Sequence, residues 1–331
     1  EENKNKILIN NLKFSPTLKI NNLGSASIDY KDNKDIFNKL SLIRNGSNFI
    51  LEGDSFNAVR IIDNIMDNDA EDFSIFQNLN TKIDIKIKKT YIDEINYLDN
   101  LHGYIKFKDN KINDLKLDSV FPNNKKINLR ININDALEKT TNLFTDYPKA
   151  LIKRYNFIKG FEEGYLEFNS IKKDNISNSI LVIDNFKIQE VPVFAKLLSL
   201  ASLQGIADIL TGEGIRFTDF EMKFSSQKDL TIIEEMYAIG PAVSILMDGY
   251  IETKKLISLR GTLVPATTIN RSIASIPFFG DLLIGDKTGE GVFGVSFKIK
   301  GPPKDLSTSV NPIKTLTPRF ITRTLEKIKK N

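Results

Sequence analysis

The chain contains no cysteine and one histidine, His102. The first absence excludes disulfides, thiolate metal sites and cysteine nucleophiles. It suits an oxidising compartment, where stray thiols are a liability. The second leaves little for most Ser-His or His-metal chemistry. His102 stands beside a glycine with no second ligand near it in sequence, and reads as a surface or turn position. No run of about twenty apolar residues is present, so no segment is expected to span a bilayer as a helix. The nearest, Val191–Leu203, is interrupted by Lys196. Charge of one sign is also missing. The 46 basic and 42 acidic residues leave +4, too little and too scattered to argue for nucleic acid. There is no P-loop. The opening Glu-Glu-Asn-Lys-Asn-Lys has no apolar signal-peptide core and no initiator Met, and the chain reads as a piece of a longer protein.

What is present is enough to fold. The 331 residues are 41% hydrophobic and 27% charged, and suit one large domain or two ordinary ones. The abundance of Asn, Lys and Ile reads as coding bias. Ile7 to Tyr30 reads as two or three strands, and Ser47–Gly53 continues them. Ala58, Ile61, Ile62 and Ile65 then take helical spacing, predicting a helix near 55–66 capped by Asp54 or Ser55. The acidic run Asp67–Asp72 lacks the glycine and distal Glu of a calcium loop and reads as solvated. Thr81–Lys88 is the cleanest strand, with Ile83, Ile85 and Ile87 on one face and charges on the other. Gly103–Lys108 and Ile112–Asp118 predict a hairpin through Asp109-Asn110. Their one-sided positions are Ile105, Phe107, Leu115 and Leu117; Leu129 and Ile131 continue the pattern in Ile127–Ile133. Asp146–Tyr155 reads as a short helix with Pro148 in its first turn. Ile158–Gly164 reads as a turn into the strand Tyr165–Phe168. Glu162 and Glu163 are neighbours in an extended chain, so they point apart and make a poor acid–base pair. Ser179–Ile188 is another strand.

The second half opens with a long apolar segment. Phe194, Leu197, Leu198 and Ala201 share a face of a helix predicted over 192–210, ended by Gly212-Glu-Gly214. Strands are expected at Ile215–Phe224, Leu230–Ala238, Ala242–Met247, Tyr250–Glu252 and Leu256–Val264. A helix near 268–276 ends at Pro277. Val292–Lys300 is a second clean strand, with Phe293, Val295 and Phe297 on one face, stopped by Gly301-Pro-Pro303. A final helix, 318–329, carries Arg319, Arg323, Lys327 and Lys330 at near i, i+4 spacing. That basic line is either a solvated face or a contact with anionic lipid headgroups. The chain divides into 1–190 and 191–331.

Many strands, few helices and no βαβ alternation point to antiparallel sheet. One-sided strands need their apolar face covered. A second sheet would do it, as in a sandwich; a strongly curved sheet could instead leave an apolar trough for a ligand. Periodicity alone leaves both open.

Several phrases then carry a resemblance. They are Asn185-Phe-Lys-Ile-Gln-Glu-Val-Pro-Val-Phe-Ala-Lys-Leu-Leu198, Leu200-Ala-Ser-Leu-Gln-Gly205, Gly212-Glu-Gly-Ile-Arg-Phe217, Gly261-Thr-Leu-Val-Pro265, Ile276-Pro-Phe-Phe-Gly280, Glu290-Gly-Val292 and Asn311-Pro312. In this order the stretch Val191–Pro318 resembles the C-terminal region of the AsmA-like proteins, most closely the YhdP-like branch. None of the phrases is catalytic. The family's inner-membrane anchor and most of its long strand array are missing. The resemblance implies a bridge-like lipid transfer protein: a long, strongly curved antiparallel sheet forming a U-shaped groove across the periplasm, capped by helices near the C-terminus. Phospholipid acyl chains would lie in the groove. Its lining would be Ile83, Ile85, Ile87, Ile105, Phe107, Leu115, Leu117, Leu129, Ile131, Phe293, Val295 and Phe297, and the Pro192 helix would cap it or serve as a plain core helix. Implied partners are phospholipid, a membrane surface and proteins of the inner or outer membrane, with no cofactor and no metal. The competing reading is a structural or assembly protein of the envelope that holds partner strands at its sheet edges. No carboxylate spacing supports a hydrolase.

Overall fold

The computed structural model describes residues 5–62, 76, 78–152, 159–189, 191–201, 212–265, 294–303 and 305–313. Within these the chain is mainly β, and seventeen strands belong to a long, open antiparallel sheet. The chain falls into two compact units, Glu1–Tyr147 and Pro148–Asn331. The boundary read from sequence, at 190/191, lies just after a strand that is paired on both sides within the second unit.

Unit 1 holds β1 (Lys6–Asn10), β2 (Lys13–Phe14), β3 (Ile20–Asn22), β4 (Ser25–Lys31), β5 (Phe37–Asn45), β6 (Asn48–Asn57), β7 (Thr81–Tyr91), β8 (Tyr97–Lys108), β9 (Lys111–Val120), β10 (Lys126–Ile133) and β11 (Lys139–Thr145). β2 and β3 pair with each other, and Ile20 of β3 also forms a parallel bridge with Phe76. The rest form a ladder in the order β1-β4-β5-β6-β7-β8-β9-β10-β11. Every pairing is antiparallel except β6–β7, which is parallel. A parallel neighbour needs a crossover rather than a tight turn, and residues 58–80 supply its length. Asp109 and Asn110 both take positive φ, 51° and 65°, the two-residue hairpin that the sequence predicts between β8 and β9.

The helix expected near 55–66 starts later. β6 runs through Asn57, and Asn57 Oδ1 accepts the Val59 N–H at 3.2 Å. Asp54 is therefore a strand residue, not a cap, and bridges Lys88 and Lys39. Strands β5 and β11, which the sequence did not show as alternating runs, are recruited by their neighbours. Residues 63–75, with the acidic run, lie outside the described residues.

A buried polar knot fastens the β4–β5 turn to the end of β6. Asn38 is fully buried. Its Oδ1 accepts the Asn57 N–H at 2.8 Å, and Asp32 Oδ2 accepts the Asn57 side-chain amide at 2.7 Å. Asp32 Oδ1 also accepts the Lys34 and Ile36 N–H groups. Burial pushes the Asp32 carboxyl up, but the hydrogen bonds from Asn57, Ile36, Lys34 and Asn38 together outweigh it and hold the pKa below its ordinary value. The contribution is thus complete above the unfolded aspartate value of about 3.9 and is lost as pH falls through the lower folded value. Asn38→Ala strands the Asn57 N–H and is expected to cost about 2–3 kcal/mol in urea unfolding. Asp32→Ala should destabilise at pH 7, and its difference from the parent should shrink in strong acid.

Unit 2 holds β12 (Lys159–Lys173), β13 (Ile176–Gln189), β14 (Ile215–Gln227), β15 (Leu230–Ile239), β16 (Val243–Glu252), β17 (Leu256–Pro265), β18 (Gly294–Gly301) and β19 (Ser307–Ile313), each antiparallel to the next. The turn read at Ile158–Gly164 is an irregularity inside one long strand, β12, with Gly160, Glu163 and Gly164 at positive φ. The two strands read at Ala242–Met247 and Tyr250–Glu252 are one, β16. Gly249, at φ 146°, continues the ladder where a side chain would meet the Ser258 carbonyl oxygen at 2.2 Å.

Two helices are described in unit 2. One turn, Lys149–Ile152, follows the buried Pro148. The other, Pro192–Leu200, has proline in its first turn and buries Phe194, Leu197 and Leu198. It covers the start of the expected 192–210 helix, with Ala201 as C-cap. Residues 202–211 and the helices expected near 268–276 and 318–329 lie outside the described residues, as do Arg319, Arg323, Lys327 and Lys330.

A candidate apolar binding face

Registers decide which side chains share a face, because residues opposite each other on paired strands point the same way. In unit 1 one row crosses all nine ladder strands: Ile9, Ala26, Leu42, Leu51, Ile85, Gly103, Leu117, Leu129 and Leu143. It contains no polar side chain. A second row on the same face runs Phe49, Ile83, Ile105, Leu115 and Ile131. The adjacent row, on the opposite face, is Leu8, Ser27, Ser41, Glu52, Lys86, His102, Asp118, Asn128 and Phe144. Apart from its two ends that row is polar, so the sheet has an apolar side and a mainly polar one.

Nine of the sequence-predicted lining residues stand on this apolar face: Ile83, Ile85, Ile87, Ile105, Phe107, Leu115, Leu117, Leu129 and Ile131. Phe107, Ile112, Leu115 and Ile131 form a buried cluster, against which Leu79, Ile83, Ile105, Leu117 and Leu129 pack. Among the described residues its members come from β7 to β10 and from Leu79 just before β7. Ile85 and Ile87 are buried as well.

The polar side is held by ion pairs and hydrogen bonds. Arg130 Nη2 lies 2.5 Å from Asp118 Oδ1, and Asn128 Nδ2 donates to the same oxygen at 2.6 Å. Burial raises the Asp118 carboxyl, but the Arg130 and Asn128 hydrogen bonds prevail and leave it lowered. His102 is mid-strand, with Nδ1 2.8 Å from the Asn100 carbonyl oxygen. It sits among the polar residues of that side, not at a site.

Unit 2 also carries an apolar face. One row is Leu166, Ile183, Phe220, Ala238, Ile245, Leu263 and Val295. The next is Phe168, Leu181, Met222, Met236, Met247, Gly261, Phe297 and Val310, which brings three of the four methionines side by side. Methionine fills irregular apolar surfaces because its unbranched thioether adapts. The Gly261 position is roofed by the Phe297 ring, whose Cζ would lie 2.6 Å from an added Cβ. Ser170 and Ser179 interrupt the face but satisfy each other by a 2.9 Å hydrogen bond. Val295 and Phe297 thus stand on the unit 2 face, while Phe293 lies outside the described residues.

The helix Pro192–Leu200 touches both β14 and β19. Phe194 packs on Phe217 with ring centroids 6.5 Å apart, and the helix also lies against β19. Phe161, Phe186 and Phe217 stack at 5.3 and 5.5 Å beneath it.

The residues sequence reading missed, such as Leu181, Ile183, Met222, Met236 and Ile245, lie in runs where both faces are apolar. Ile180-Leu-Val-Ile183 and Val243-Ser-Ile-Leu-Met247 have no clean period of two, so only the register assigns their sides.

No group of three or more His, Cys, Asp or Glu that could hold a metal ion appears among the described residues. Glu162 and Glu163 diverge: Glu162 faces Lys149 at 3.9 Å, and Glu163 takes a two-pronged hydrogen bond from Arg216 at 2.8 and 3.0 Å. That guanidinium lowers the Glu163 carboxyl. An open depression of about 380 Å³ on β15 to β19 is bordered by Glu235, Asp248, Arg260 and Lys298, with Arg260 Nε donating to Asp248 at 2.7 Å. No helix among the described residues is long and apolar enough to cross a membrane. No family model, curated protein or solved structure matches the chain.

Proposed function

We propose that the apolar face carries the acyl chains of phospholipids, as part of a periplasmic lipid transfer protein between the inner and outer membranes. The observation that carries this reading is the row from Ile9 to Leu143, apolar at every position across nine strands. At about 4.8 Å per strand it extends for about 38 Å. One leaflet of acyl chains is about 15 Å deep, half the bilayer's hydrocarbon core, so a chain fits along the row with length to spare. Each methylene kept from water is worth about 0.8 kcal/mol. A row of near-equal side chains binds successive positions about equally, which allows sliding without a deep trap.

Several features favour a trough over a flat face. Register shifts interrupt β5–β6, β8–β9, β14–β15 and β15–β16. Such bulges bend and twist the strand that carries them. The helix Pro192–Leu200 touches β14 and β19, and on this reading it would stop one end of the unit 2 face. The resemblance of Val191–Pro318 to the AsmA-like proteins points to the same cargo.

Native mass spectrometry of the chain purified from a Gram-negative host, followed by lipid extraction, tests this. Co-purified phospholipid is the expected result. A stably folded, lipid-free chain would overturn it, because the apolar faces would then be covered by the protein itself.

A further inference from the structure

Met222, Met236 and Met247 are three of the chain's four methionines, and they stand opposite one another on β14, β15 and β16. They are 14 and 11 positions apart in the sequence, so an expectation of no metal forms easily before the register brings them together. All three are half-buried. Their neighbours on the same face are Phe220, Ala238 and Ile245 on one side and Phe224, Ile233 and Gly249 on the other. None of these six side chains offers an oxygen or a nitrogen. The backbone beside the trio is irregular. The β14–β15 ladder shifts between Lys223 and Phe224, and the β15–β16 ladder between Ile233 and Met236. In the second shift Glu234 and Glu235 stand opposite the single Asp248, and Met236 is the first residue back in register. Such bulges re-aim the side chains next to them and recur beside functional sites.

We propose that the three thioethers form a binding site for one soft monovalent cation, Cu(I). Thioether sulfur is a soft donor suited to Cu(I). Zinc takes Cys, His or carboxylate, and calcium and magnesium take oxygen, none of which this patch supplies. The three ligands are neutral and their surroundings apolar, so a single positive charge is the least costly one to bring there. β14 and β16 lie about 4.8 Å to either side of β15. That is within the sideways reach of a side chain with three rotatable bonds, so the outer sulfurs can lean in over Met236. A merely space-filling role would not require three of four methionines to be cross-strand neighbours.

Titration of the whole chain with silver nitrate, followed by NMR of isotope-labelled methionine methyl groups, tests this, with Ag(I) as the air-stable counterpart of Cu(I). Three of the four methyl signals should shift and stop at one equivalent. The fourth belongs to Met66, which lies outside the described residues, and it should stay in place. Zn(II) should move none of them. Met236→Leu keeps the face apolar at similar volume and should fold normally, but should weaken Ag(I) binding by at least about tenfold. Met66→Leu should bind as the parent does. Under anaerobic conditions the parent should withdraw Cu(I) from a chromophoric chelator, and Met236→Leu should not. Shifts that do not saturate at one equivalent overturn the proposal. So does binding that Met236→Leu retains, or that Met66→Leu abolishes. The parent's own methyl shifts identify the ligands without any variant. Met236→Leu leaves the proposed acyl-chain path apolar, so failure here and failure of the lipid reading are told apart.

Discussion

Ile85→Asp is expected to strip bound phospholipid from the chain and to lower its unfolding free energy by about 3 kcal/mol. Ile85 is 5% exposed and stands between Leu51 and Gly103 in the longest apolar row. A carboxylate there loses water without gaining a partner, and it interrupts the path along which an acyl chain would lie. The neighbouring position provides the control. Lys86 points to the polar side, so Lys86→Asp should change stability by less than about 0.5 kcal/mol and leave lipid in place. Native mass spectrometry and urea unfolding of both variants read the two effects. Equal lipid in the Ile85→Asp and Lys86→Asp proteins would remove this face from the proposed path. Val295→Asp, at a position 1% exposed in β18, makes the corresponding test for unit 2.

Gly103→Ala is expected to destabilise the chain by about 2–5 kcal/mol, more than most core truncations of one methyl group. Gly103 has φ 146°, a region open to glycine and closed to side chains. A Cβ placed there would lie 1.8 Å from the Lys116 carbonyl oxygen, on the backbone of the paired strand β9. Neither the strand nor the oxygen can yield without breaking the β8–β9 ladder. Gly103 is also the gap in the apolar row between Ile85 and Leu117. Thermal unfolding of Gly103→Ala beside Gly46→Ala separates conformation from crowding. Gly46 also has positive φ, 63°, but nothing lies within 4 Å of its added Cβ. Equal losses in both proteins would show that the close approach of β9 does not matter.

The strands that sequence displayed plainly are those with one wet and one dry side. Thr81–Lys88 is read correctly because its isoleucines alternate with Lys and Asp. The hairpin at Asp109-Asn110 is legible because those residue types tolerate positive φ. β13 and β16 are harder: their apolar residues occupy both sides, and period two disappears. Glycines misled in a consistent way. Gly160, Gly164 and Gly249 look like turns in the sequence, yet they let a long strand continue through a close approach to its neighbour.

By itself, the sequence determined that these 331 residues are mainly antiparallel β with one-sided strands and hold no cysteine. Composition and local periodicity suffice for that, since each residue carries its own preference for water. Only the tertiary structure decided that Ile9 and Leu143, 134 positions apart, share one unbroken apolar row, that β6 and β7 run parallel, and that three methionines meet. Register is a relation between strands, fixed by which pairing buries the whole face at once, and a slip of one residue would turn every side chain to the wrong side.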